Sequence, residues 1–439
     1  MVADSLRFQT VFEKGSGLEY IEANGIQFSE TRSAGCWTLP STASIFTGLL
    51  PHEHGATSQT RGINKQVPTL AEKLKLKGYK TYQITANIAT TDIFGLHRGF
   101  DEVYQTWDFV EAKFKYLTQL LVMLGKPRLR KKLFNKDFLM RKMSDDLSAS
   151  KTWMQYTHED SFNLARKILA HHETRNEKCF VFINCMETHF PYHVSPTFSC
   201  LKDNLKAQVE ELLILFKTVN QSFLRTDKLG IDKAGLNLLK DRQRKSWENI
   251  NKSVDGFIKE QHQNKNNLCV FLGDHGENFG EQNWLYHFSN VNDGGTKVPL
   301  FWLTNEENKA IEINSEICLK DIHYQILRAV GDDNSPINLI HQPESSISIS
   351  ESFWYNSNGK TLPKYKFNQF SFIDKKVKYI NRNGKWLSAT LNNSFNSESA
   401  FEPLLNINPI KEIKGNPYKK ALLADELNKF LLFSDKIKF

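Results

Sequence analysis

The sequence predicts an α/β fold with a large, mostly parallel central sheet covered by helices, followed by a small antiparallel C-terminal subdomain. Three observations carry this. Short apolar, β-rich runs recur at Lys80–Thr85, Cys179–Asn184, Leu268–Leu272 and Val298–Leu303. Helical patterns such as Thr69–Lys77 and Ser161–His171 lie between them, and strands alternating with helices form βαβ units with parallel strands. From about Ser345 the helices give way to strand-like runs joined by turns such as Asn381-Arg382-Asn383-Gly384.

Taken in order, the chain opens on Met1-Val2-Ala3-Asp4. Either it starts late or its first strand is short. Cys36-Trp37-Thr38-Leu39-Pro40-Ser41 runs into a helix expected over Thr42–Thr47 and closed by Gly48. Residues 108–153 read as a helical, basic insertion, with an apolar helix at Tyr116–Leu124. Ile347–Trp354, Phe370–Ile380 and Gly384–Leu391 read as strands, and Lys419–Phe433 as a helix. The expected division is a catalytic domain over 1–340 and an α+β subdomain over 341–439.

Composition narrows the classes. Of the 439 residues, 40% are hydrophobic and 24% charged, which excludes a mostly disordered chain. No apolar run approaches the roughly 18–20 residues that cross a bilayer. The start lacks the basic-then-apolar pattern of a signal peptide. Six cysteines without CxxC spacing read as reduced thiols in a cytoplasmic protein. The net charge is 57 − 49 = +8, and Lys126–Lys142 alone holds eight basic residues and one acid. The remainder is nearly neutral, so no nucleic-acid surface is expected. With Tyr116–Leu124, the basic run is compatible with peripheral contact of residues 116–142 with an anionic membrane, or with recognition of a polyanionic substrate. The plainer reading is a helical hairpin with a solvated face.

In open α/β sheets functional residues gather at the carboxyl ends of strands. Leu268–Leu272 is followed by Gly273-Asp274-His275-Gly276-Glu277, and Cys179–Asn184 by Glu187-Thr188-His189-Phe190-Pro191-Tyr192-His193. Asp4 follows the first few residues. Singly, each piece has a plain explanation: a satisfied Asp–His pair, a solvated Asp, a Thr at a helix start, a packed His. Together they are polar clusters of metal-ligand type placed where such a sheet would put a site.

In this order, these residues resemble the sulfatase family of the alkaline phosphatase superfamily. The resemblance spans roughly Asp4 to Leu303. Asp4-Ser5-Leu6-Arg7 is similar to the family's first metal motif, and Gly35–Gly55 (GCWTLPSTASIFTGLLPHEHG) to its nucleophile segment. Pro68–Asn87, Gly99-Phe100-Asp101, His189-Phe190-Pro191-Tyr192, Gly273–Gly280 (GDHGENFG), His287 and Lys297–Leu300 follow in family order. The resemblance implies an alkaline-phosphatase-like sandwich. It implies one divalent metal held by Asp4, Thr38, Asp274 and His275. Thr38 would be the nucleophile, and His189 and His287 would contact the transferred group or protonate the leaving oxygen. Arg7 would meet the substrate anion or support the site from behind, or else be only structural. Mainly oxygen ligands with one nitrogen suit Ca, Mg or Mn, and Zn also fits.

The sequence also departs from the family. The usual motif is Cys or Ser, any residue, Pro, any residue, Arg; here it reads Thr38-Leu39-Pro40-Ser41-Thr42. Threonine cannot become formylglycine, and Cys36 stands two positions too early, so no formylglycine is expected. Ser5 stands where many members carry a second Asp. Threonine at the nucleophile position resembles the phosphoethanolamine and phosphoglycerol transferases. The expected activity is metal-dependent hydrolysis of a sulfate or phosphate ester, on a small molecule or linked to a glycan or lipid. The alternatives are phosphotransfer through a phospho-threonine, and a non-catalytic binding member. Asp255 reads as structural.

Overall fold

The structure, a computed structural model, describes residues 1–111, 148–149, 151–152, 155–192, 206, 210, 231–287, 290–306, 309–332, 335–354, 367–391, 402–404, 407–414 and 416–436. The basic run Lys126–Lys142 and the expected membrane contact through 116–142 lie outside the described residues, as does His193.

The strands of the larger sheet are β1 (Val2–Ala3), β2 (Ile26–Arg32), β3 (Lys80–Thr85), β4 (Glu102–Gln105), β5 (Cys179–Cys185) and β6 (Cys269–Gly273). After a short ribbon of β7 (Asn278–Phe279) and β8 (Leu285–Tyr286), β9 (Leu300–Leu303) and β10 (Ile311–Cys318) complete it. Their spatial order is β10-β2-β9-β6-β1-β5-β3-β4. All neighbours are parallel except β9, which runs antiparallel to β2 and β6. β1 pairs in parallel with β5 and β6 through Val2 and Ala3. A cavity of about 520 Å³ lies beneath it, lined by Met1, Val2 and the amino ends of β5 and β6. That cavity is at the opposite strand ends from the polar clusters.

Because successive strand residues face opposite ways, each strand feeds two cores. Val2, Phe182, Leu272 and Leu300 face one side, against Leu39, Ala43 and Phe46 of the Thr38–Thr47 helix. Ala3, Ile183, Phe271 and Phe301 face the other, against Phe162 of the His158–Glu173 helix and Trp247, Ile250 and Val254 of the Lys233–His262 helix. Asp255, on the same helix, accepts the backbone N–H groups of Tyr20 and Ile21 and so ties down the start of the Glu19–Asn24 helix.

The second sheet comprises β11 (Ile349–Ser352), β12 (Gln369–Asp374), β13 (Val377–Arg382), β14 (Lys385–Thr390) and β15 (Glu402–Leu404), antiparallel throughout. Leu423, Leu427 and Phe430 of the Pro417–Lys436 helix pack on Phe370, Phe372 and Trp386. Residue 341 falls between the last strand of the large sheet and the first of this one. Phe370–Ile380, expected as one strand, is a hairpin. Lys375 and Lys376 turn it with φ of 50° and 63°, conformations usually taken by Asn or Gly, so no turn signal was visible. The two bodies share a buried ion cluster. Asp293 receives Arg32 through Nε at 2.9 Å and Nη2 at 2.8 Å, and Lys378 of β13 at 2.8 Å.

Candidate active site

Four loops at the carboxyl ends of β1, β3, β5 and β6 meet the start of the Thr38–Thr47 helix. At the end of β1, Ser5 takes φ of 60°, a sparsely populated conformation for a residue with a Cβ. The bend lets its backbone N–H donate to Asp274 Oδ1 at 3.1 Å while its hydroxyl donates to Asp4 Oδ1 at 3.3 Å. Asp4 is fully buried. Its Oδ2 accepts from Asn87 at 2.6 Å and from Asn184 at 3.1 Å, and its carbonyl from Thr188 Oγ1 at 2.7 Å. Gln243 donates to the carbonyls of Ser5 and Thr188, bracing both loops from the long helix.

The helix expected from Thr42 begins four residues earlier, at Thr38, and Gly48 closes it at φ of 74°. The earlier start is allowed because Pro40 falls in the first turn, where its missing N–H has no intrahelical partner to lose. Thr38 is thus the first helical residue, and the N–H groups of Thr38 and Leu39 have no intrahelical acceptor. Thr38 Oγ1 lies 3.3 Å from His275 Nε2 and accepts from Asn87 Nδ2 at 3.3 Å. Ser41 on the same turn donates to the Asp274 carbonyl and meets Ser33 at 2.7 Å. Thr42, in place of the family arginine, is buried, and its hydroxyl has no hydrogen-bond partner among the described residues.

His275 Nδ1 lies 2.9 Å from the Gly276 carbonyl. A carbonyl only accepts, so Nδ1 carries the hydrogen and Nε2 has its lone pair available. Nε2 stands 3.7 Å from Asp4 Oδ1 and 3.6 Å from Asp274 Oδ2. Asp274 Oδ2 is buried with no hydrogen bond among the described residues. The donor atoms of Asp4, Asp274 and His275 lie within 4.8 Å of one another. Burial and the facing Asp4 carboxylate push the Asp274 carboxyl well up. Burial works the same way on Asp4, but His189, His275 and the two asparagine amides outweigh it and hold Asp4 below its usual value. Two buried carboxylates opposed across one imidazole form a negative concavity, and a divalent cation fits it by charge and by donor type.

The histidines line the rim. His189 Nδ1 meets the Phe190 carbonyl at 2.5 Å, which leaves Nε2 as its lone-pair nitrogen. His287 sits between the other two, its ring centroid 5.0 Å from His189 and 4.5 Å from His275. Its Nδ1 is bound to Glu277 Oε1, and Tyr192 donates to Glu277 Oε2 at 2.5 Å. Burial pushes Glu277 up to about 7, against the pull of His189 and Tyr192. Burial and the two neighbouring imidazoles push His287 well down.

Asp4, Thr38, Asp274 and His275 are therefore brought together, with His189 and His287 beside them. Arg7 has its own partners: Nη2 pairs with Glu281 at 2.7 Å, Nε donates to Gln9 at 3.2 Å, and the guanidinium lies over Phe279. Its Nη1 has no hydrogen bond among the described residues. Asn87, Asn184, Glu277 and Tyr192 were not singled out from sequence. Asn87 was findable, since it ends the segment after β3, where open sheets place functional residues. Glu187, first in the histidine loop, instead caps the His158–Glu173 helix through the N–H groups of Thr157 and His158.

A mixed sheet between two helical layers, with a carboxylate–imidazole cluster at its carboxyl edge, defines the class of alkaline-phosphatase-like proteins. The sulfatase family model matches residues 2–332, and the chain belongs to the sulfatase family. No curated protein matches the sequence. Among solved structures, the phosphonate monoester hydrolase of Agrobacterium radiobacter is similar at 13% identity and a TM-score of 0.61, covering 98% of this chain and 95% of its own. BT1596, a 2-O GAG sulfatase, is similar at 12% identity and 0.60, with 98% and 91% covered. The lipoteichoic acid synthase LtaP from Listeria monocytogenes is similar at 14% and 0.53, with 99% and 90% covered. These likenesses establish the fold. No helix among the described residues is long and apolar enough to cross a membrane, and the five described cysteines form no disulfide.

Proposed function

We propose that this protein is a metal-dependent hydrolase of sulfate or phosphate esters with Thr38 as nucleophile. The observation that carries the reading is the position of Thr38 Oγ1: it stands on the first turn of a helix, 3.3 Å from His275 Nε2 and beside the paired carboxylates. Asp4, Asp274, His275 and Thr38 would hold one divalent cation. Bound there, the cation would lower the pKa of the nucleophile and offset charge developing on the ester oxygens.

The remaining roles follow from the protein's own groups. Asn87 orients Thr38 and Asp4 with the two hydrogens of one amide. Thr38 Oγ, having lost its proton, forms a bond to sulfur or phosphorus. The bond to the leaving oxygen breaks and its electron pair stays with that oxygen. Nε2 of His189 or His287, the lone-pair nitrogen of each because Nδ1 is committed elsewhere, takes up the proton that Thr38 releases and passes it to the leaving oxygen. The first-turn N–H groups of the helix receive a non-bridging oxygen, and Arg7 Nη1 has a hydrogen to offer the same anion. Water then cleaves the threonine ester.

A transferase reading shares every step but the last, in which an alcohol replaces water. It is favoured by the threonine itself, which bars the formylglycine route. A panel of p-nitrophenyl sulfate, phosphate and phosphodiester, assayed after chelation and after return of Mg, Ca, Mn or Zn, tests the reading. Thr38→Ser should keep turnover with at least one ester, and Thr38→Ala should lose it by on the order of 10³-fold. A trapped phosphoryl or sulfuryl adduct should map to Thr38, and added alcohol should divert product if transfer is the reaction. Full activity in Thr38→Ala rejects the nucleophile. No turnover of any ester, with metal bound, favours a binding role.

A further inference from the structure

The geometry points to a second divalent-cation site, suited to zinc, formed by His52, Glu53 and Glu426, which clips the C-terminal helix to the turn that follows the nucleophile helix. None of these residues belongs to the cluster at Asp4 and Asp274.

His52 lies in the Pro51–His54 turn, just after Gly48 ends the Thr38–Thr47 helix. Its ring is buried, and Glu351 on β11 grips the residue twice. One carboxylate oxygen accepts the His52 backbone N–H at 3.0 Å and the other meets Nδ1 at 2.7 Å. A carboxylate partner places the hydrogen on Nδ1 and leaves Nε2 as the lone-pair nitrogen. A carboxylate behind the outer nitrogen of a histidine is the usual support for a histidine metal ligand.

Nε2 then faces Glu426 Oε2 at 3.5 Å. Both atoms are buried, and neither makes a hydrogen bond among the described residues. The Glu426 side chain is only 9% exposed. Around a tetrahedral ion with bonds of about 2.0–2.1 Å, neighbouring donors are about 3.4 Å apart, so the gap has the size of one ion's coordination edge. Glu53 supplies the third donor, with all three donor atoms within 4.8 Å of one another. Both carboxylates are also held in place: Glu426 Oε1 meets Lys429 at 3.0 Å, and Glu53 Oε2 accepts the Leu50 N–H at 2.7 Å. One imidazole and two carboxylates make a borderline donor set that suits zinc better than magnesium, and the half-buried Glu53 leaves room for water as a fourth ligand.

The competing arrangement is metal-independent: a protonated His52 bridging Glu351 and Glu426. The two are separated by counting metal. The full-length protein is stripped with chelator and titrated with Zn²⁺ by equilibrium dialysis and calorimetry near neutral pH. Two equivalents are expected for the parent chain and one for Asp274→Asn, which disables the other cluster. In the Asp274→Asn background, Zn²⁺ should raise the melting temperature. Adding Glu426→Gln should remove both that rise and the remaining equivalent. Since Glu426 also serves Lys429, Glu53→Gln is the companion variant, and it should weaken the remaining site at least tenfold. If Asp274→Asn binds no zinc, or binds it equally well with Glu53→Gln or Glu426→Gln added, the site is overturned and the imidazolium clip stands in its place.

Discussion

Asn87 donates one amide hydrogen to Asp4 Oδ2 across 2.6 Å, and so aims a carboxylate and helps offset the upward push of its burial. The amide sits 83 residues from its partner in the chain and marks where β3 delivers its loop to the end of β1. Asn87→Ala should weaken divalent-metal binding by about 10–100-fold while leaving the fold intact, because Asn184 still holds Asp4 at 3.1 Å. Calorimetric titration of the variant measures this. Affinity equal to the parent's would mean Asp4 needs no such support.

Gly276 cannot carry a side chain. A Cβ there would stand 2.2 Å from the Gly294 carbonyl oxygen, so Gly276→Ala must displace its own loop. The Gly276 carbonyl holds His275 Nδ1, and the displacement passes to the imidazole. A shift of about 1 Å costs on the order of 10²-fold in rate, and ester turnover should fall by at least that. Gly256→Ala is the control. Nothing lies within 4 Å of its Cβ position, and the change should stabilise the long helix by up to about 1 kcal/mol.

The Arg32–Asp293–Lys378 cluster joins the two bodies through groups that are all about 1% exposed. Asp293 lies far below the usual carboxylate range, since Arg32 and Lys378 more than offset its burial. Asp293→Asn keeps the shape but leaves two buried cations facing a neutral amide, a loss of about 3–5 kcal/mol. Denaturant unfolding should show this as a lower midpoint, with weaker cooperativity between the two sheets if the cluster is what couples them.

His323 sets an acid limit. Burial and the nearby Lys73 ammonium push its imidazole down to about 3, and Lys73 Nζ donates to its Nε2 at 2.9 Å. The unfolded chain takes up this proton near pH 6.5, whereas the folded chain resists until about 3. Stability from this group is therefore complete above pH 6.5 and falls as the pH drops toward 3. Between pH 7 and 5 the loss is about 2 kcal/mol. His323→Gln keeps an acceptor for Lys73 without titrating, so its urea midpoint should fall less than the parent's over that interval. Equal falls would contradict the assignment.

Much of this protein was legible along the chain. β3 was placed to the residue, through Tyr82 and Ile84 alternating with polar residues, and the other three expected strands to within two residues at either end, because strands buried on both faces read as apolar runs. The clusters that became the site were visible because open sheets put polar residues after such runs. The Lys375-Lys376 hairpin was not visible, since the turn lacks the residues that announce it. Thr38 as the first helical residue was not visible either, because Pro40 reads equally as a turn or a helix start.

Sequence order alone determined the fold class and the family, and marked Asp4, Thr38, Asp274 and His275 as candidates. Which atoms face which was decided only by the folded chain. The pairing of Asn87 with Asp4, of Glu277 with His287, and of Glu351 and Glu426 with His52 joins residues on separate elements. Such contacts depend on strand order and helix packing, and a periodicity read along one segment carries no record of what the next segment lays against it.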